Sequence, residues 1–137
     1  MVTTVQRSLE GANILIAEDD DEFRKVLLED FEKKGCHVTA VRNGLDLVGQ
    51  LRCLEVPASP DEFDLIISDI LMPGVTGLSV SEGLQSFEGV PSIILITAFG
   101  NEETHAEARR LGAVAVLDKP FAMRDLLSTA EQCVSRR

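Results

Sequence analysis

No stretch of this 137-residue sequence is apolar for the roughly 20 residues that a membrane-spanning helix needs, and Met1 to Gly11 lack the basic-then-apolar order of a secretion signal. Cysteine is scarce and badly spaced for chemistry. Cys36, Cys53 and Cys133 are odd in number, far apart and without a C-x-x-C, which argues against both a disulfide framework and a zinc knuckle. They read as buried or half-buried thiols in a reducing cytosol. Positive charge is also short, 13 Lys and Arg against 23 Asp and Glu, and the net charge of -10 opposes direct nucleic-acid binding while favouring a cation. Phosphate-loop glycine patterns, internal repeats, low-complexity segments and a second domain are all missing. What remains is enough for one globular domain, with 45% apolar and 26% charged residues. The expected setting is the cytoplasm, away from membranes.

Ile14-Leu15-Ile16-Ala17 reads as a first strand running into Glu18-Asp19-Asp20-Asp21. Val2 to Glu10 shows no apolar period and is expected to be a loose tail, so the domain should cover 12–134, between a tail at 1–11 and a short end at 135–137. Phe23, Val26, Leu27 and Phe31 predict a helix from about Asp21 to Lys34, with early acids suited to its positive dipole end and Gly35 as its stop. His37 to Val41 is a short strand. Asn43-Gly44 leads into a helix carrying Leu47, Val48, Leu51 and Leu54, closed by Pro57 and Pro60, and a linker reaches Phe63.

Leu65 to Ser68 is a third strand, ending on Asp69 and broken by Pro73-Gly74; Val80, Leu84 and Phe87 then mark a helix weakened by Gly83. Ser92 to Thr97 is the fourth strand. Asn101 to Leu111 should be helical, but its inner face is mostly alanine and Glu103 and Glu107 repel at i,i+4, so it is expected to be the least firmly held helix. Val114 to Leu117 is the last strand, Lys119-Pro120 a turn, and Leu126, Leu127, Ala130, Cys133 and Val134 stripe a closing helix. Five strand–helix alternations with unbroken Ile/Leu/Val runs predict an α/β domain with a parallel sheet covered on both faces. In such sheets ligands bind outside the carboxyl ends of the strands, where strand order reverses.

Polar groups collect at those ends: Glu18 and Asp19 after the first strand, Asp69 after the third, Thr97 on the fourth, Lys119 after the fifth. Three carboxylates brought together repel one another, and the repulsion is relieved by a raised pKa or by a hard cation, of which a partly hydrated Mg²⁺ suits two or three carboxylates and a phosphate. An ammonium and a hydroxyl beside a metal are what the oxygens of a phosphoryl group require. Any one of these residues alone would pass for a surface residue at a loop end. His37 and His105 show no partner spacing, and Asp20 and Asp21 are explained as helix-start charges as readily as metal ligands.

The segments Ile14-Leu15-Ile16-Ala17-Glu18-Asp19-Asp20, Ser68-Asp69-Ile70-Leu71-Met72-Pro73-Gly74-Val75-Thr76-Gly77, Leu95-Ile96-Thr97-Ala98 and Asp118-Lys119-Pro120-Phe121 occur in an order that resembles the receiver domain of two-component response regulators. The resemblance implies a doubly wound, flavodoxin-like five-stranded sheet of order 2-1-3-4-5 with five helices. It implies Asp69 as phospho-acceptor, a Mg²⁺ held by Asp19, Asp69 and the Leu71 carbonyl with Glu18 nearby, and Lys119 and Thr97 as partners of the phosphoryl group. Ala98 leaves room for that group, and the Lys119-Pro120 bond is implied to be cis. A sensor histidine kinase or histidine phosphotransfer protein is the implied donor, and Asp69 would attack its phosphohistidine. The domain would thus be a self-modifying signalling switch rather than a turnover enzyme, with movement after Thr97 carried into the helix from Asn101. Many family members place an aromatic residue three before the lysine; here that position is Val116, which points to a switch carried by backbone and helix movement. Leu71 and Phe99 could flank the phosphoryl group without orienting water, so slow hydrolysis is expected.

Three other readings compete. A small-molecule phosphatase using Asp69 would want a general acid two residues on, where Leu71 stands. A phosphate-independent interaction module would usually have lost Asp69, an acid or Lys119. A flavin-binding domain would want a Gly, Ser or Thr-rich loop after the first strand, where the acids stand. The downstream effector, which could be a fused output domain, is open, since only Ser135-Arg136-Arg137 follow the last helix, and so is a homodimer through the fourth-helix face.

Overall fold

Ile14 and Ile16 point one way from the first strand and Leu15 and Ala17 the other, and all four are shut off from solvent. Both faces of the sheet are therefore covered, which is why the sequence shows continuous apolar runs rather than alternation. The computed structural model describes residues 9–51, 63–72, 76–84, 91–98 and 100–134. In chain order its elements are β1 (Asn13–Ala17), α1 (Asp21–Lys33), β2 (His37–Val41), α2 (Gly44–Leu51), β3 (Leu65–Asp69), α3 (Gly77–Leu84), β4 (Ser92–Thr97), α4 (Glu102–Arg110), β5 (Ala115–Asp118) and α5 (Met123–Val134). The strands form one parallel sheet in the order β2-β1-β3-β4-β5, the order that the resemblance implies.

Two cores sandwich the sheet. Leu65, Ile67, Ile94 and Ile96 join Leu27 and Phe31 of α1 and Leu126, Ala130 and Val134 of α5 on one face. On the other, Ile66, Ile93, Leu95 and Val116 meet Leu47 of α2, Val80 of α3 and Ala108 of α4. The predicted helical stripes are narrower than the sequence suggested. Val26 is 44% exposed, because the face set by Leu27 and Phe31 leaves it pointing outward, and Val48 is exposed beside buried Leu47 for the same reason. Val114 lies just before β5 and is exposed, so the last strand begins one residue later and runs to Asp118. Leu54, Pro57 and Pro60, the Pro73-Gly74 turn, Phe87, Phe99 and Cys53 lie outside the described residues. No helix among those residues is long and apolar enough to cross a membrane.

The expected loose tail fails at its end. Leu9 is 2% exposed and sits in the cluster of Phe31 and Cys36, while its carbonyl accepts from the Ala12 N–H at 2.9 Å and the Cys36 Sγ at 3.4 Å. The Gly11 N–H adds a bond to the Gly35 carbonyl at 2.9 Å. A single leucine carries no period, so pattern reading had nothing to detect; residues 1–8 lie outside the described part. The same packing removes solvent from the Cys36 thiol and pushes its pKa up to about 11.

Helix α4 buries Ala108 alone of its own residues, as its alanine-rich face predicted. The expected Glu103–Glu107 repulsion is offset, because Arg110 holds the Glu107 carboxylate with bonds of 3.0 and 2.6 Å. The Ser81 hydroxyl also donates to the Leu111 carbonyl at 2.7 Å, tying the end of α4 to α3.

Leu9→Ala should lower the unfolding free energy by about 2–5 kcal/mol, as removal of a core leucine does. Urea denaturation checks it, and a change under about 0.5 kcal/mol, ordinary for a surface site, would return Leu9 to the tail.

Candidate functional site at the carboxyl ends of the strands

The strand order reverses between β1 and β3, and the parallel register that pairs Ala17 with Ser68 brings the residues following them side by side. Those residues are Glu18 and Asp69. Asp69 closes β3, Thr97 closes β4, and Lys119 follows β5, its N–H donating to the Thr97 carbonyl at 2.8 Å. Carboxylate oxygens of Glu18, Asp19 and Asp69 lie within 4.8 Å of one another.

Lys119 Nζ bridges two of them, donating to Glu18 Oε1 and Asp69 Oδ2 at 2.8 Å each. The remaining oxygens have backbone donors: the Leu71 N–H reaches Asp69 Oδ1 at 3.1 Å and the Asp20 N–H reaches Glu18 Oε2 at 3.1 Å. Glu18 is 1% exposed and Asp69 6%, whereas Asp19 opens to solvent. Burial raises the Glu18 pKa above the ordinary carboxylate range, against the pull of Lys119. For Lys119, burial works to lower the pKa, but its hydrogen bonds to Asp69 and Glu18 carry it above the usual lysine value. Oxygen donors crowded on one side, with one carboxylate facing water, fit a hard divalent cation.

The loops hold this arrangement by close approach. A Cβ at Gly77 would lie 2.7 Å from the Asp69 carbonyl oxygen and 3.0 Å from Leu95 Cδ2, so only glycine lets α3 begin against the backbone of Asp69. Asp20 caps α1, accepting from the Phe23 N–H at 3.0 Å, and Asp21 pairs with Arg24. Neither joins the carboxylate cluster, and the helix-start reading of both holds. Leu71 is 55% exposed next to the site and Thr97 only 2%. The Lys119-Pro120 peptide is cis.

Sequence reading missed three neighbours of the site. Phe23 lies under the Lys119 ammonium, 4.9 Å from ring centroid to Nζ, and meets Phe121 edge to face at 5.8 Å. His105, taken to be without a partner, lies 2.8 Å from Asp118 Oδ1 through Nε2, linking α4 to the end of β5. Gly100 passes under that pair, where an added Cβ would run into Asp118 Oδ1 and stand 2.9 Å from His105 Nε2. Phe23 looked like one more residue of an apolar stripe, and the partner of His105 is set by the fold; neither contact has a local signal.

Comparison with known proteins gives a consistent result. A sequence profile described as "Response regulator receiver domain" matches residues 14–131. The response regulator receiver protein CpdR of Brucella abortus is 31% identical over 119 residues, 87% of this chain and 93% of that protein. The transcriptional regulatory protein PdtaR of Mycobacterium tuberculosis is 32% identical over 123 residues, 90% of this chain but 57% of PdtaR, so the chain spans little more than half of that regulator. The receiver domain of the Francisella response regulator 1452 superposes with a TM-score of 0.82, covering 92% of this chain and 98% of that one at 22% identity, which speaks for the fold alone.

His105→Ala should speed amide exchange in α4 roughly 2- to 13-fold, the net worth of one hydrogen bond. Hydrogen exchange read by NMR checks it, with α1 and α5 as unaffected references.

Proposed function

This chain belongs to the response regulator receiver domain family, and from that premise we propose that Asp69 accepts a phosphoryl group from a phosphohistidine in a cytoplasmic two-component phosphorelay. The donor is a sensor histidine kinase or a histidine phosphotransfer protein. The observation that carries the reading is the desolvated Asp69 carboxylate, bridged by Lys119 to Glu18 at the carboxyl ends of the strands.

In the proposed transfer the Asp69 carboxylate attacks phosphorus roughly in line. An O–P bond forms while the P–N bond to the donor imidazole breaks, its electron pair leaving with the nitrogen. Lys119 Nζ, already 2.8 Å from Asp69 Oδ2, exchanges that contact for a phosphoryl oxygen and keeps its bond to Glu18. Asp19, Asp69 and the Leu71 carbonyl, with Glu18 nearby, are the groups that would hold Mg²⁺, which when bound neutralises charge on the transferring phosphoryl group. Water later hydrolyses the acyl phosphate. The domain thereby modifies only itself and acts as a switch, not a turnover enzyme.

Thr97 provides the readout. Its hydroxyl bonds the new phosphoryl group and draws the backbone toward Gly100, beneath the His105–Asp118 pair that ties α4 to β5. The signal then passes to an effector or to an attached output domain.

Incubation with Mg²⁺ and acetyl phosphate should add one labile phosphoryl group by intact mass, lost in Asp69→Ala and in chelator. No adduct, and no binding of beryllofluoride, would favour a phosphate-independent interaction module. Leu71→Asn, which puts an amide beside the phosphoryl group, should shorten the lifetime of the adduct severalfold; an unchanged decay would remove Leu71 from control of hydrolysis.

A further inference from the structure

Lys119 carries three N–H donors on a flexible four-carbon stem, and two of its directions end on Glu18 and Asp69. Its third neighbour is aromatic: Nζ stands over the Phe23 ring, 4.9 Å from the centroid. The ring is itself held twice. Its backbone N–H is fixed by the Asp20 cap at 3.0 Å, and its face angle is set by Phe121, whose ring lies 5.8 Å away at 66°. Phe121 follows the Lys119-Pro120 turn, so lysine and buttress come from one segment of chain while the ring between them comes from α1. Both rings are half-buried against the core of α1 and α5, which limits water around the ammonium.

From this we infer that Phe23 is a positioning residue for the proposed phosphoryl transfer: its ring face holds the Lys119 ammonium over the acceptor while that ammonium changes partners. The inference rests on the receiver reading above. During transfer, Lys119 releases Asp69 Oδ2 and takes a phosphoryl oxygen, so one of its anchors is lost at the moment its placement matters most. Glu18 alone leaves the stem free to turn about a single contact. The ring adds a second fixed point that needs no hydrogen and is unaffected by the exchange, since an aromatic face attracts an ammonium from a range of directions. An aliphatic residue of similar bulk fills the same space against the core but offers no such attraction, and this separates positioning from packing.

The experiment compares wild type, Phe23→Leu and Phe23→Tyr by acetyl phosphate phosphorylation rate in Mg²⁺, by Mg²⁺ affinity, by thermal midpoint and by the NMR position of the Lys119 Hε protons. Phe23→Leu should phosphorylate roughly 2- to 30-fold more slowly, the span of ammonium–ring energies, with Mg²⁺ affinity unchanged, and Phe23→Tyr should recover most of the rate. Lys119 Hε should resonate upfield in wild type and Phe23→Tyr and return to the ordinary lysine position in Phe23→Leu. That readout needs no phosphorylation, so it tests the contact even if the receiver reading fails. Equal rates in wild type and Phe23→Leu, an equal loss in both variants, or an ordinary Lys119 Hε position in wild type would each overturn the inference.

Discussion

One ammonium between two desolvated carboxylates is the contact on which the site depends. A carboxylate buried without a partner takes up a proton rather than keep its charge, and a protonated acid is no nucleophile. Glu18 and Asp69 are both nearly sealed from water, and each keeps one oxygen on a backbone N–H and the other on Lys119. The lysine therefore gives both buried carboxylates a charged hydrogen-bond partner at rest, before any role in the proposed transfer. Three carboxylates still share one ammonium, and oxygen donors gathered in that excess suit a divalent cation. Excess negative charge at this spot agrees with the acidity of the whole chain and gives it a local use.

Much of the fold was legible because both faces of a parallel sheet are covered. Ile14 to Ala17, Leu65 to Ser68 and Ser92 to Thr97 read as strands from composition alone, and acids or a hydroxyl at their ends followed from where those runs stop. Helix faces were less legible, since Val26 and Val48 are apolar yet exposed, and a propensity for helix does not say which of two adjacent apolar residues turns inward. Leu9 was invisible because one residue has no period. That Lys119 gathers with the acids at the strand ends came from recognising a constellation, whereas the Phe23 ring and the His105–Asp118 pair are products of tertiary packing with no spacing of their own.

Val116 decides how movement can travel. It is 7% exposed and packed in the core that also holds Ala108 of α4, so it is neither large enough nor free enough to swing between inward and outward positions. With no aromatic rotor there, the proposed switch would carry a displacement at Thr97 to α4 by backbone and helix movement. The proposed route leads to Gly100, where an added Cβ would run into the Asp118 carboxylate unless that side chain moved. Asp118 in turn meets His105 in the first turns of α4, whose start is fixed by the Asn101 side chain accepting from the Thr104 N–H at 2.8 Å. A shift of this loop cannot leave the pair undisturbed, and small motions at packed contacts become discrete rearrangements because cores do not deform smoothly.

The two halves of the site are built differently, and the difference suits their proposed tasks. Around β1 and α1 the chain is tied at several points: Asp20 caps the helix, its own N–H meets Glu18, Arg24 Nη1 donates to the Glu18 carbonyl at 3.0 Å, and Leu27 and Phe31 sink the helix into the core. Acids that hold a cation, as proposed for these, would gain from that rigidity, since each loose ligand adds ordering entropy to the cost of binding. Helix α4 is anchored mostly by polar contacts, with Ala108 the one residue of it that is buried. Apolar burial resists displacement by area and has no alternative partner, but hydrogen bonds and ion pairs near the surface exchange with water at little net cost. On the proposed reading, binding thus falls to the half whose helix is fixed by its core, and signalling to the half whose contacts can be remade.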